Sequence, residues 1–362
     1  MTQANFQADY FAGQTAPAPG QAQAIDAGVY WLRMPLPLVL DHINLWLLED
    51  GAGWTVVDCG LTTDATRAAW EQLFAGVLGG RAVTRVICTH MHPDHLGLAD
   101  WLCKRFDAPL CMTQGEYLSG RIVSAGLLPT DTGGELELFQ RHGAPESLLH
   151  SLRGRGNFYA TMVPAVPLHY RRLVDRQRLS IGGLDWEVVV GGGHSPEHAS
   201  LWCAERGLLI SGDMLLPRIS TNVSVYPIEW EADPLGVYLD ALGRFEALPQ
   251  ATRVLPSHGL PFRGAAARVR DLREHHAERL ASVLEACATQ ACSAADLLPR
   301  LFRRALDAHQ MRFAMGEAIA HVHRLWACGA LRREPGAGGV YRFRGTDAAA
   351  DHGRSARAAA GL

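Results

Sequence analysis

The chain has 362 residues, 48% of them apolar and 20% charged, with a formal net charge of −3. That is enough apolar material for a full core and more than one structural unit, and it supplies no global electrostatic drive toward nucleic acid or a membrane surface. Lys104 is the only lysine, so the arginine abundance reads as compositional bias more than as a phosphate-binding specialism. The eight cysteines form no Cys-x-x-Cys pair and read as buried free thiols. Residues 1–25 lack the basic start and apolar stretch of a secretory leader, and no later run approaches the roughly 18 apolar residues of a spanning helix. A cytoplasmic protein with no membrane partner is expected.

Residues 1–25 are rich in Ala, Gln, Pro and Gly without periodicity and are expected to be an N-terminal tail. Strand-type apolar runs follow at 28–33, 43–48 and 54–58, the last two joined by Glu49-Asp50-Gly51-Ala52-Gly53, a hairpin signal. Helical periodicity at 62–78 and 96–106 brackets the apolar run 83–88, and a short strand is expected at 108–112. From 113 to 172 the pattern turns to helical pieces broken by glycines such as Gly126, Gly143 and Gly154, an insertion suited to a pocket wall. Strand patterns resume at 178–181, 184–190, 199–203 and 208–211. Three helices are then expected at 265–289, 293–306 (Ser293 as N-cap, Pro299 as a kink or break) and 310–328, followed by a hairpin at 329–334 and 339–343. That order predicts a winged-helix-like domain over 265–345, with 346–362 as a C-terminal tail.

The segment Thr89-His90-Met91-His92-Pro93-Asp94-His95 places three imidazoles and a carboxylate directly after the apolar run 83–88. Imidazole nitrogen with a hard carboxylate oxygen is the donor mixture that suits zinc, iron or manganese. Three more apolar strands run straight into a ligand-type residue: His194 after Gly191-Gly192-Gly193, Asp213 after Ser211-Gly212, and His258 after Pro256-Ser257. Strand exits gathered at one edge of packed sheets bring distant residues into one pocket.

With His194, Asp213 and His258 in this order and spacing, residues 28–264 resemble the hydrolases of the metallo-β-lactamase superfamily. The resemblance implies an α/β fold, an αββα sandwich forming a catalytic domain over 26–264. It also implies that His90, His92 and His194 hold one divalent metal, that Asp94, His95 and His258 hold a second, and that Asp213 bridges them. Zinc is expected, with iron or manganese as alternatives. Asp58 stands where superfamily members commonly have an aspartate supporting a histidine ligand, and His198 is a further candidate beside the site. Classical β-lactamase branches often have a cysteine at the position of Asp213, and flavodiiron proteins a carboxylate at the position of His92; neither pattern fits. The run 309–321 with the following hairpin resembles the branch carrying an appended winged helix, which includes endoribonucleases, acyl-carrier-protein thioesterases and many bacterial hydrolases.

A full His/Asp set implies a two-metal hydrolase in which metal-supplied hydroxide attacks a carbonyl or phosphoryl centre and Asp94 orients the attack. A small ester or thioester is the expected small-molecule substrate, an acyl-CoA or acyl-carrier thioester among the candidates, because a thiolate with a pKa near about 8.5 leaves without a strong acid. Cleavage of single-stranded RNA and mono-iron dioxygenation are the alternatives. Arginines of the C-terminal unit, such as Arg300, Arg312, Arg324 and Arg333, would serve an RNA track, although a packing and pocket-closing role is favoured for that unit. His42, Asn44, Arg218, Asn222 and Tyr159 are candidate substrate contacts, and a homodimer is compatible with each reading.

Overall fold

Two apolar faces on the same strands dictate the layering. Along residues 29–57, Val29, Trp31, Trp46, Leu48 and Val57 are buried on one side, and Leu32, Met34, Ile43, Leu45, Leu47, Trp54 and Val56 on the other. Strands of this kind need cover on both faces. The computed structural model describes residues 6–11, 15–127, 134–154, 156–303, 305–347 and 351–362, and supplies that cover as four layers.

Strands β1 (Asp9–Tyr10) and β2 (Ala22–Asp26) go to different sheets. The first sheet runs β2-β3-β4-β5-β6-β7-β8, where β3 is Val29–Pro35, β4 His42–Asp50, β5 Gly53–Val57, β6 Val83–Ile87, β7 Leu110–Met112 and β8 Tyr170–Arg172. It is antiparallel up to β5 and parallel from β5 to β8. The second runs β1-β14-β13-β12-β11-β10-β9, with β9 Arg178–Ile181, β10 Leu184–Gly191, β11 His198–Cys203, β12 Leu208–Gly212, β13 Arg253–Pro256 and β14 Phe262–Arg263. Trp31, Trp46 and Ile87 of the first sheet share one buried cluster with Trp186, Leu201, Ile210 and Leu255 of the second.

Helices α1 (Asp64–Ala75), the single-turn α2 (Pro93–Leu96) and α3 (Ala99–Phe106) cover the first sheet through Trp70, Leu73, Leu96 and Leu102. The expected insertion holds α4 (Gln114–Ser124), α5 (Gly134–Arg141), α6 (Glu146–Leu152) and α7 (Phe158–Met162), and β8 as well, so it ends inside the first sheet. Its helices divide: Tyr117, Val123 and Tyr159 join the first outer core, whereas Leu138, Phe139, Leu148 and Leu152 join the core on the far side of the molecule. There, α8 (Pro234–Glu246) and α9 (Ala265–Thr289) cover the second sheet with Leu239, Leu242, Val269 and Leu272. The layer order is αββα, an α/β fold.

The same far-side core takes in α10 (Ala294–Leu301), α11 (Ala308–Ala327) and the hairpin β15 (Leu331–Pro335) and β16 (Tyr341–Gly345). Ser293 caps α10 with a reciprocal capping box, and α10 ends at Leu301, two residues past Pro299, short of the expected 306. Two expected tails are structured where they are described. Ala22–Asp26 pairs with β3, Asp9–Tyr10 pairs with β14, and Phe6 stacks edge-on against Phe262 at 5.9 Å. Helix α12 (His352–Ala359) buries Ala356 and Ala359 against α9, with Arg357 paired to Glu274 at 2.8 Å. Both segments are too short for periodicity to register, and edge pairing needs only backbone groups. Residues 1–5, 12–14 and 348–350 of these tails lie outside the described residues. All eight cysteines are free, and seven are buried; Cys328 departs from expectation by being exposed.

Leu201 is fully buried between the sheets. Leu201→Ala is expected to cost about 2–5 kcal/mol, read as a fall in the denaturation midpoint, because the void lies between two rigid sheets.

Candidate metal centre

Four strand exits build the centre. After β6, residues 88–92 carry His90 and His92, with His92 in extended backbone as the N-cap of α2, so Asp94 and His95 fall in that single turn. After β10, the chain passes Gly193, held at φ 92°, to His194. After β12, Gly212 at φ 54° turns the backbone to Asp213, and a Cβ at Gly212 would stand 2.3 Å from His198 Nε2. After β13 comes His258.

The inner ring atoms converge. His90 Nε2 lies 2.9 Å from His92 Nδ1 and 3.1 Å from His194 Nε2, which is 3.3 Å from Asp213 Oδ2. Beside them, His95 Nε2 is 3.6 Å from Asp213 Oδ1 and 3.7 Å from Asp94 Oδ2, while His258 Nε2 is 3.5 Å from Asp213 Oδ1 and 3.4 Å from Asp94 Oδ2. All seven predicted residues therefore meet, and three groups within them are able to hold a metal ion: His90, His92 and His194; His90, His95 and Asp213; Asp94, His95 and His258. His90 and His95 are fully buried, whereas Asp94 keeps 22% of its side chain exposed, so the centre opens on the Asp94 side.

Each outer nitrogen is already committed. His95 Nδ1 donates to Asp58 Oδ2 at 2.8 Å, His194 Nδ1 to the Asn222 carbonyl at 2.7 Å, and His258 Nδ1 to the His42 carbonyl at 2.8 Å. His90 Nδ1 is 3.1 Å from Thr89 Oγ1, whose own proton goes to Asp58 at 2.9 Å, and His92 Nε2 is 3.0 Å from the Tyr226 hydroxyl. Since those acceptors fix the proton on the outer nitrogen, the inner nitrogens of neutral His90, His92 and His194 are bare lone pairs. Lone pairs 2.9–3.1 Å apart repel unless a cation lies among them. Buried His95 Nε2 and Asp213 Oδ1 have no hydrogen-bond partner, which is a second sign that the donor set fits a metal.

Charge follows the same division. Burial, reinforced by the neighbouring His95, His92 and His194 rings, pushes His90 well below the usual imidazole range, and burial with His194 pushes His92 down to about 3. Burial also works against a charged His95, but the Asp58, Asp94 and Asp213 carboxylates overcome it and raise the ring to about 9. Asp94 is brought to about 2 despite its burial by His95 and His258. The carboxylates thus make the second group of ligands a place that attracts positive charge, a proton and a metal cation competing for the same inner nitrogen.

The remaining predicted residues are distributed unevenly. Asp58, itself at φ 64°, receives the Thr89 amide at 2.8 Å in addition to His95, so it organises the histidine loop. His198 is fully buried and its Nε2 accepts the Asp213 amide at 3.1 Å, so it meets the backbone of Asp213. His42 accepts the Gly259 amide at 2.9 Å. Asn44 does not reach the mouth: it is fully buried, donates to the Pro256 and Gly259 carbonyls, and accepts from Trp31 and Arg33, which makes it a rivet between the two sheets. Tyr159 is likewise turned inward, donating to the Met91 carbonyl at 2.5 Å. Asn222 contributes its carbonyl to His194, and its side chain accepts from Ser224. Arg218 is exposed on the segment beyond Asp213. Sequence reasoning missed Thr89, Tyr226 and Glu116. The buried Glu116 carboxylate accepts the Met91 amide at 2.9 Å and the Glu197 amide at 2.7 Å, joining the loops of His90 and His194 from within α4.

Residues 38–258 match the family described as metallo-beta-lactamase superfamily, more than half of the chain. The chain belongs to that superfamily. Metallo-beta-lactamase superfamily proteins bind divalent metals, and the enzyme class that comes with this membership is metal-dependent hydrolysis. Residues 280–346 match a second family, the metallo-beta-lactamase-like C-terminal domain. A beta-lactamase domain protein from Burkholderia ambifaria is similar in structure, with 50% identity, a TM-score of 0.88, and coverage of 94% of this chain and 98% of that one. A probable metallo-hydrolase of Bacillus subtilis is 26% identical over 80% of this chain and 90% of its own length. A hydroxyacylglutathione hydrolase of Albidiferax ferrireducens is 25% identical over 62% of this chain and 65% of its own.

Asp58→Asn keeps the shape of the side chain and removes the charge that orders His95 and Thr89. Metal-free protein carrying it is expected to bind a divalent metal about 10–100-fold less tightly at the site that includes His95, measured by calorimetric titration with zinc.

Proposed function

We propose that this chain is a dinuclear hydrolase of small esters or thioesters, with an acyl thioester as the favoured substrate. The carrying observation is the makeup of the centre: five imidazoles and two carboxylates converge, and none of the described groups bonded to them is a ready acid or nucleophile. The Tyr226 hydroxyl is pushed up by burial and by Glu116. Glu116 itself is committed to two backbone amides. Cys59 and Cys88 face each other at 3.6 Å in full burial, which raises both thiols and leaves them inert. A thiolate leaving group, with a pKa near about 8.5, departs without an acid, whereas an alkoxide or amine would need one.

His90, His92 and His194 would hold one cation, Asp94, His95 and His258 the other, with Asp213 between them; the nitrogen and oxygen donors suit zinc, with iron or manganese as alternatives. Bound there, the two ions supply water of lowered pKa and polarise the oxygen of the scissile group. The chain does the rest. Asp94, on the open side, would orient the attacking water, while Asp58, Thr89, Tyr226 and the carbonyls of Asn222 and His42 keep every imidazole in one tautomer. The hydroxyacylglutathione hydrolase relative supports an acyl group on sulfur as substrate. Against the RNA reading, four of the C-terminal arginines are held in intramolecular pairs: Arg300 with Glu285, Arg312 with Glu135, Arg324 with Asp233 and Arg333 with Glu231, at 2.6–3.3 Å.

Metal analysis beside a panel of acyl thioesters, esters, lactones and RNA tests the proposal. About two equivalents of metal and preferred turnover of thioesters are expected. Asp94→Ala and Asp213→Ala should each lose at least about 100-fold in turnover while remaining folded, since even residues that merely support metal ligands cost 10–100-fold. Undiminished thioester turnover by metal-stripped protein would defeat the reading.

A further inference from the structure

The segment between Asp213 and α8 ties to the metal ligands through three residues and four hydrogen bonds. Thr221 Oγ1 donates to the Asp213 carbonyl at 2.5 Å, and the Asn222 carbonyl receives His194 Nδ1 at 2.7 Å. The Tyr226 hydroxyl donates to the His194 carbonyl at 3.1 Å, so its oxygen is left to accept His92 Nε2 at 3.0 Å. One phenol therefore links two of the three histidines around His90 Nε2. A hydroxyl has one proton, and the carbonyl can only accept, so the direction of both bonds is fixed and His92 is held with Nδ1 bare.

What holds Tyr226 in place comes from the far end of the chain. Between Asn222 and Tyr226, Ser224 lies against Gly316 of α11, so close that a Cβ on Gly316 would stand 2.4 Å from Ser224 Oγ and 3.0 Å from its Cβ. Glycine is required there for contact, since nothing marks its backbone as left-handed. One turn earlier on α11, Arg312 forms a two-bond pair with Glu135 of α5 at 2.6 and 2.9 Å, which fixes that end of the helix. Its charge also reaches the Tyr226 hydroxyl.

We propose that Tyr226 is a positioning residue for the metal site of His90, His92 and His194, and that α11 sets its position through the Gly316–Ser224 contact, making that site depend on the C-terminal helices. The proposal rests on the two-metal reading above and concerns affinity, not turnover.

Cobalt(II) titration of metal-free protein, followed by absorption, tests it. Wild type is titrated first: fewer than two equivalents would count against the two-metal reading, and the proposal would then be judged on whether the remaining equivalent weakens. Tyr226→Phe keeps the ring and loses both hydrogen bonds; it should weaken one equivalent at least about tenfold and leave the other unchanged. Gly316→Ala should weaken the same equivalent, and the size exchange Ser224→Gly with Gly316→Ala should restore it. Unchanged affinity in Tyr226→Phe overturns the proposal, as does equal weakening of both equivalents with a lowered melting temperature, which would assign Tyr226 to general packing. If Tyr226→Phe behaves as expected but Gly316→Ala does not, the coupling to α11 is overturned.

Discussion

Lone pairs forced together in a buried space are the constraint around which this molecule is organised. His90 Nε2, His92 Nδ1 and His194 Nε2 sit within hydrogen-bond distance of one another, yet none has a proton to share, because each ring has already given its proton to an acceptor outside the cluster. Such an arrangement is unfavourable in the protein alone and favourable once positive charge is placed among the nitrogens. The acceptors that enforce it come from the histidine loop itself, where Thr89 is held by Asp58 just after β5, and from the segment after Asp213. Folding of the two sheets thus stores the unfavourable arrangement, and metal affinity is the return on it.

The sandwich delivers these groups because its strands bury both faces. With no polar face available, functional side chains must sit where strands stop, and the loops after β6, β10, β12 and β13 reach one edge of the packed sheets. Asn44 shows how closely that edge is tied. Its amide crosses from the first sheet to the Pro256 and Gly259 carbonyls on either side of His258, so the position of a ligand from the second sheet is referred to the first.

That geometry also explains what could be read in advance. All seven converging residues follow an apolar run directly, so each was marked by the abrupt change from strand pattern to ligand type, and Asp58 stood out for the same reason at the end of β5. The strand and helix periods marked the separate elements, and the layer order came with the superfamily resemblance that the ligand residues carry. Asn44 and Tyr159 were expected as candidate substrate contacts, but burial turned both inward: an amide between two sheets satisfies carbonyls that no water can reach, and the Tyr159 hydroxyl does the same for Met91. Tyr226 was invisible because its partner His92 lies 134 residues away and its own segment has no period. Glu116 was hidden in an insertion read only as helical wall, and the short N-terminal strands in composition that looks unstructured. Contacts made by backbone or across long separations leave no local pattern.

The C-terminal helices fit this picture as part of the same body. One buried cluster runs from Leu209 of β12 through Leu239 and Leu242 of α8 to Leu280 of α9, Ile319 of α11 and Phe343 of the hairpin, and it includes Leu138 and Leu148 of the insertion. Burial on this scale is shared among segments from the middle and end of the chain, so none can loosen without exposing apolar surface on the others. The pair Arg312–Glu135 and the hydrogen bond between His142 and His323 at 3.1 Å cross between insertion and C-terminal helix at two further points. Arginines that a nucleic-acid track would leave facing solvent are drawn into this framework as ion pairs with carboxylates. Their surface position contributes little to stability, but pairing with Glu135, Asp233 and Glu231 ties α11 and β15 to the insertion and to the segment before α8. The C-terminal charge pattern therefore makes better sense as part of the support of a metal centre than as a surface kept free for phosphates.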